Sequence, residues 1–89
     1  MIQETMSIEE KQPILNLMIA GNYILTHHAY IRMQEWSITD GDIRECARTA
    51  VTVETQSDGK FKIKGLDLTE LETTIVCAFK NDVVIITVF

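Results

Sequence analysis

The chain predicts an α+β domain, with helices packed on a mostly antiparallel, strongly twisted sheet of about four strands. Three observations carry this reading. Apolar residues recur at helical spacing as far as Ala50. From Val51 the period changes to two. Two long apolar runs joined at Asn81-Asp82 then close the chain. The expected helices cover about 8–20, 27–35 and 40–49, and the expected strands about 51–56, 60–65, 73–80 and 83–89. With 89 residues, 1–89 forms one domain with a thin core.

Each element has its own local reason. Ser7-Ile8-Glu9-Glu10 has capping-box spacing, with Ser7 as cap. Pro13 means that this first helix either kinks or begins near Gln12, because an internal proline clashes with the carbonyl four residues back. Ile14, Leu15, Leu17, Met18 and Ile19 leave it almost no polar face, so it is expected to be buried or covered by a second copy of the chain. Gly21 or Asn22 closes it in a left-handed turn. Tyr23-Ile24-Leu25 is an extended link or short strand, and Thr26 caps the second helix. Thr39 and Asp42 have capping-box spacing for the third helix, with Ile38 and Ile43 as a hydrophobic staple. Ile43, Cys46, Ala47 and Ala50 form its apolar stripe.

Val51-Thr52-Val53-Glu54-Thr55 alternates, and Ser57-Asp58-Gly59 is a turn signal. Lys60-Phe61-Lys62-Ile63-Lys64 alternates cleanly, with Phe61 and Ile63 toward the helices and the three lysines outward. Gly65 is expected to break this run, and Leu66 to Glu72 reads as a turn plus a short strand. Residues 73–80 and 83–89 are apolar on both faces, as strands covered on each side would be.

The net charge of -5 argues against broad, non-specific nucleic-acid binding but leaves room for a small local basic site. Cys46 and Cys77, far apart on apolar faces, read as buried free thiols in a reducing cytoplasm. Two cysteines and two adjacent histidines have no zinc-type spacing, and no cofactor or metal is expected. The first residues lack the basic start and apolar run of a signal peptide. No apolar run reaches the roughly eighteen residues of a membrane helix, so a cytoplasmic chain with no membrane partner is expected.

The chemistry concentrates in Thr26-His27-His28-Ala29-Tyr30-Ile31-Arg32-Met33-Gln34-Glu35-Trp36, which holds both histidines and the one tryptophan. On a helix, His28, Arg32 and Glu35 form a polar stripe beside an apolar stripe of Ala29, Met33 and Trp36. Met33 and Trp36 are expected in the core. His28 followed by Arg32 sets a titratable imidazole and a fixed cation over one small anion. The bland alternatives are a first-turn capping histidine and an Arg32–Glu35 pair.

The run His28-Ala29-x-x-Arg32-Met33, then Ser37-Ile38-x-x-x-Asp42-Ile43, resembles the opening of the domain-of-unknown-function family 4258. The resemblance extends from about Tyr23 to Phe89. Where the family usually has a second arginine, this chain has Trp36. The family is thought to belong with the RelE-like and barnase-like toxin ribonucleases. The resemblance therefore implies a prokaryotic toxin that cleaves RNA without a metal, on or off the ribosome, and a cognate antitoxin protein as partner. In that reading His28 moves the proton and Arg32 stabilises the phosphorane. Lys60, Lys62 and Lys64 hold flanking phosphates. The alternative for the lysines is a solvated sheet face. Thr87 is an additional site candidate near the C-terminus, where related toxins often use an aromatic or hydroxyl group. The last residue, Phe89, cannot move a proton. The competing reading is a non-catalytic interaction domain of the same fold, which binds a protein partner through its first helix and uses the lysine row as an electrostatic contact.

Overall fold

The computed structural model of the protein describes residues 5–6, 11–56 and 58–89. Three helices, α1 (Gln12–Ile19), α2 (His27–Glu35) and α3 (Asp40–Arg48), accompany six strands: β1 (Thr5–Met6), β2 (Tyr23–Leu25), β3 (Thr52–Thr55), β4 (Phe61–Leu66), β5 (Glu72–Lys80) and β6 (Asp82–Val88). One sheet joins the strands in the order β1-β3-β4-β5-β6-β2. This is an α+β fold. The four expected strands are present, and short edge strands bring the total among the described residues to six. All neighbours are antiparallel except β2 and β6, which run parallel, so the sheet is mixed.

The sequence dictates the helix ends. Lys11 is the N-cap residue of α1, and Pro13 falls in the first turn, where a missing N–H costs nothing. The Ser7 capping box lies outside the described residues. Gly21 takes φ +82°, and the N–H groups of Gly21 and Asn22 return to the carbonyls of Met18 and Leu17 at 3.0 and 2.8 Å, which ends α1 in a Schellman turn. Ser37 does the same after α2 at φ 54°, with Ile38 N–H reaching Met33 O at 2.8 Å.

One face of the sheet meets the helices. Val53, Ile63, Ile75, Cys77, Val83, Ile85 and Val88 share a buried cluster with Leu15, Met18, Ala29, Met33, Ile43 and Cys46. Register fixes this face, since Val53, Ile63, Ile75 and Val88 lie opposite one another across four strands. Phe61 is partly buried against the same cluster.

Several expectations are corrected here. Gly65 does not end β4, which continues to Leu66. It faces α3, and a Cβ there would lie 2.2 Å from the carbonyl oxygen of Cys46, so the glycine permits the close approach of helix and strand. β5 and β6 are apolar on both faces, yet the helices lie on one face only among the described residues. Met18 is fully buried in the chain's own core, so it takes no part in a contact between copies. Trp36 is 60% exposed rather than in the core. Its place next to Met33 on the helical wheel is lost because the helix ends at Glu35 and the chain turns away at Ser37.

Candidate functional site

Thr26 builds the start of α2. Its hydroxyl accepts from Ala29 N–H at 3.0 Å and donates to Ile86 O at 3.0 Å, while its N–H donates to Ile85 O at 3.0 Å. One residue therefore caps the helix and fastens it to β6. Ala29 and Met33 go into the core, which fixes the rotation of α2 about its axis. His28 is left exposed and Arg32 half-buried.

Four residues along a helix bring two Cβ atoms to about 6 Å. His28 and Arg32 thus stand as neighbours on one side of α2. The Arg32 Nε is shielded from solvent and has no hydrogen-bond partner among the described residues. A buried guanidinium donor left unmatched is costly. The Arg32 guanidinium carbon also lies 5.8 Å from the centre of the Trp36 ring. His27 is exposed as well, about 100° further round the helix.

The face of the sheet turned away from the helices carries the other candidates. Glu54, Lys62, Val76 and Thr87 are successive partners across β3, β4, β5 and β6. Lys64 lies on the same face, between Thr52 and Thr74. Strand spacing puts Lys62 and Thr87 about 10 Å apart, Cα to Cα. Lys62 Nζ sits 5.8 Å from the centre of the Phe89 ring, and Phe89 is held to β5 by two backbone bonds with Thr74. Thr87 follows the residue whose carbonyl receives the Thr26 hydroxyl, but it shares the face of Lys62, opposite the face on which Ala29 and Met33 of α2 are packed.

Lys60 is set apart from this group. It precedes β4, and its ammonium pairs with Asp58 at 3.0 Å in the turn. The expected row of three lysines is therefore two on the strand face and one at the turn. Both thiols are enclosed, and burial pushes Cys46 and Cys77 up to about 12. Neither is a nucleophile at neutral pH. Among the described residues no three His, Cys, Asp or Glu side chains gather as metal ligands, and no helix is long and apolar enough to cross a membrane.

Two features were not legible in the sequence. Thr26 reads as a cap, but its second bond to Ile86 depends on the parallel pairing of β2 with β6, which no local pattern signals. Trp36 as an exposed neighbour of Arg32 was hidden by its apolar character; the one available signal was Ser37 at a possible helix end.

A family model described as "Domain of unknown function (DUF4258)" matches residues 25–89. No curated protein and no solved structure matches the chain. The matched span opens immediately before Thr26 and takes in α2, α3 and the strands from β3 to β6. Covering well over half of the sequence, this match shows that the chain belongs to the DUF4258 family.

Proposed function

We propose that the protein is a metal-independent endoribonuclease of the RelE-like kind, the toxin of a prokaryotic toxin–antitoxin pair acting in the cytoplasm. The observation that carries this reading is the placement of exposed His28 and half-buried Arg32 one turn apart on α2. In the proposed reaction the ribose 2′-hydroxyl attacks the neighbouring phosphorus. The bond to the 5′-oxygen breaks, and a 2′,3′-cyclic phosphate remains. His28 moves the proton, and Arg32 stabilises the extra charge on the phosphorane. Lys62 and Lys64 hold flanking phosphates, and Thr87 offers a hydroxyl on the same face. Lys60, already paired with Asp58, contributes less. The test is cleavage of a mixed RNA by purified protein freed of any antitoxin, in chelator, beside His28→Ala. Cyclic phosphate ends from the wild type and little product from the variant are expected. An intact RNA with the folded wild type would overturn the reading.

A second reading rests on a different observation. Ile24, 52% exposed, shares the uncovered face with Val84, its register partner on β6. On an acidic chain this favours a non-catalytic domain that docks a protein partner. Growth arrest on expression, relieved by the neighbouring gene, supports the toxin; growth unaffected under the same conditions supports the docking domain.

A further inference from the structure

We propose that Trp36 is a stacking platform for one nucleobase of a single-stranded RNA, placed so that the phosphate of the same nucleotide reaches Arg32. The inference rests on the ribonuclease reading above and names the part of the substrate that this site would hold.

Trp36 is the chain's one tryptophan and is 60% exposed. Leaving an indole in water forfeits the burial that normally holds so large a side chain inside. Its backbone is nevertheless held in place. The Trp36 N–H bonds to Arg32 O at 3.0 Å, and the residues that follow close the Schellman turn with bonds to Gln34 and Met33. A large aromatic group on a fixed backbone, with a guanidinium 5.8 Å from its ring centre, is preorganised rather than left over.

The surroundings favour a base over a protein surface. The other exposed apolar residues of α2, Tyr30 and Ile31, precede Trp36 by six and five positions. At 100° per residue they lie about 120° and 140° round the helix axis from it, so the three do not merge into one apolar patch. What lies on the Trp36 side instead is Arg32, its Nε unpartnered among the described residues, and His28 one turn earlier. Glu35 also belongs to this side, which places the phosphate at the His28–Arg32 end, away from the acid. An aromatic face beside a cation is the arrangement by which single-stranded RNA is held, through stacking on the base and charge on the phosphate.

The one tryptophan makes its own probe. Full-length His28→Ala protein is titrated with a labelled twelve-nucleotide RNA, following both label anisotropy and indole emission. The same titration uses an abasic oligomer of equal length. RNA should quench Trp36, and the abasic oligomer should bind more weakly with little quenching. Adding Trp36→Ala to this protein should weaken RNA binding about tenfold or more, and Trp36→Phe should restore most of it. RNA binding with unchanged emission and an unchanged Trp36→Ala affinity would overturn the platform while leaving the ribonuclease reading to its own cleavage test. Quenching by RNA with no cleavage by the wild type would keep the platform and remove the catalysis. Emission that shifts with protein concentration alone, with no response to RNA, would assign Trp36 to a contact between copies and overturn the inference.

Discussion

The missing Cβ of Gly65 would fall 2.2 Å from the carbonyl oxygen of Cys46. Backbone therefore meets backbone where α3 crosses β4, and nearby the Thr49 hydroxyl accepts from Leu66 N–H at 2.8 Å and donates to Glu45 O at 2.8 Å. No flexible side chain can yield at Gly65. Gly65→Ala must lift α3 from the sheet, and should destabilise the domain by about 3 kcal/mol, the upper part of the range for overpacking. Denaturant unfolding measures this directly. A midpoint within error of the wild type would show that the helix shifts freely.

The tertiary role of Gly65 explains what could and could not be read from the chain. Local chemistry is visible in sequence, and so Thr26, Thr39 and Asp42 read as caps and Phe61 and Ile63 as inward residues. A glycine inside an alternating run looks locally like a break, because the reason for it lies 19 positions away at Cys46. The parallel pairing of Tyr23–Leu25 with Val83–Ile85 spans 60 residues and leaves no periodic trace. Apolar character on both faces of β5 and β6 reports hydrophobicity but not what covers it. The site follows the same division. The spacing of His28 and Arg32 is local and legible, whereas the burial of the Arg32 Nε and the exposure of Trp36 follow from how α2 sits on β6.

Asp42 joins α3 to the β4–β5 loop. Its carboxylate accepts from Thr39 N–H at 2.9 Å and Leu68 N–H at 3.0 Å. Burial alone would raise its pKa, but these bonds, with the Thr39 hydroxyl, outweigh it and hold the carboxyl below its ordinary value. Asp42→Ala should cost about 1–2 kcal/mol through the lost capping box, a fall in Tm of roughly 4–8 °C per kcal/mol. A lowered folded-state pKa contributes stability above the unfolded value near 3.9, and this is lost as pH falls through the folded value. The gap between wild type and variant should therefore close below about pH 4. A gap that stays constant down to pH 2 would show that the carboxylate charge is not involved.

The two thiols work in the opposite direction. Burial raises Cys46 and Cys77 from 9.0 to about 12, which favours their neutral forms. That contribution is complete below the ordinary value of 9.0, and it is lost as pH rises toward the folded value. The domain should therefore weaken steeply above about pH 9. At pH 8 a disulfide-exchange reagent should modify neither thiol in the native protein, and both in denaturant. Modification of either within minutes under native conditions would contradict their enclosure.

The lysines separate by position. Lys62 and Lys64 occupy the open sheet face, while Lys60 is matched by Asp58. If the open face tracks an RNA backbone, Lys62→Ala and Lys64→Ala should each lower the salt dependence of RNA binding by about one phosphate contact. Lys60→Ala should change it less. Equal effects from all three would indicate diffuse attraction rather than a site.

His28 and Arg32 should fail in different ways. His28 is exposed, so His28→Ala should lower cleavage on the order of a hundredfold or more while leaving Tm unchanged. Arg32 is half-buried, and its guanidinium carbon lies 5.8 Å from the centre of the Trp36 ring. Arg32→Ala should therefore lose activity to a similar degree and also about 1 kcal/mol of stability. Arg32→Lys separates the two effects. The lysine keeps the aliphatic stem and the charge but not the planar fork that grips two phosphate oxygens. It should recover most of the stability and little of the cleavage. If Arg32→Lys recovers cleavage together with stability, Arg32 serves as a point charge or a packing element, and the two-pronged contact with the phosphorane is wrong. If His28→Ala keeps wild-type cleavage, the proton is moved by another group, and Thr87 on β6 is the residue to vary next.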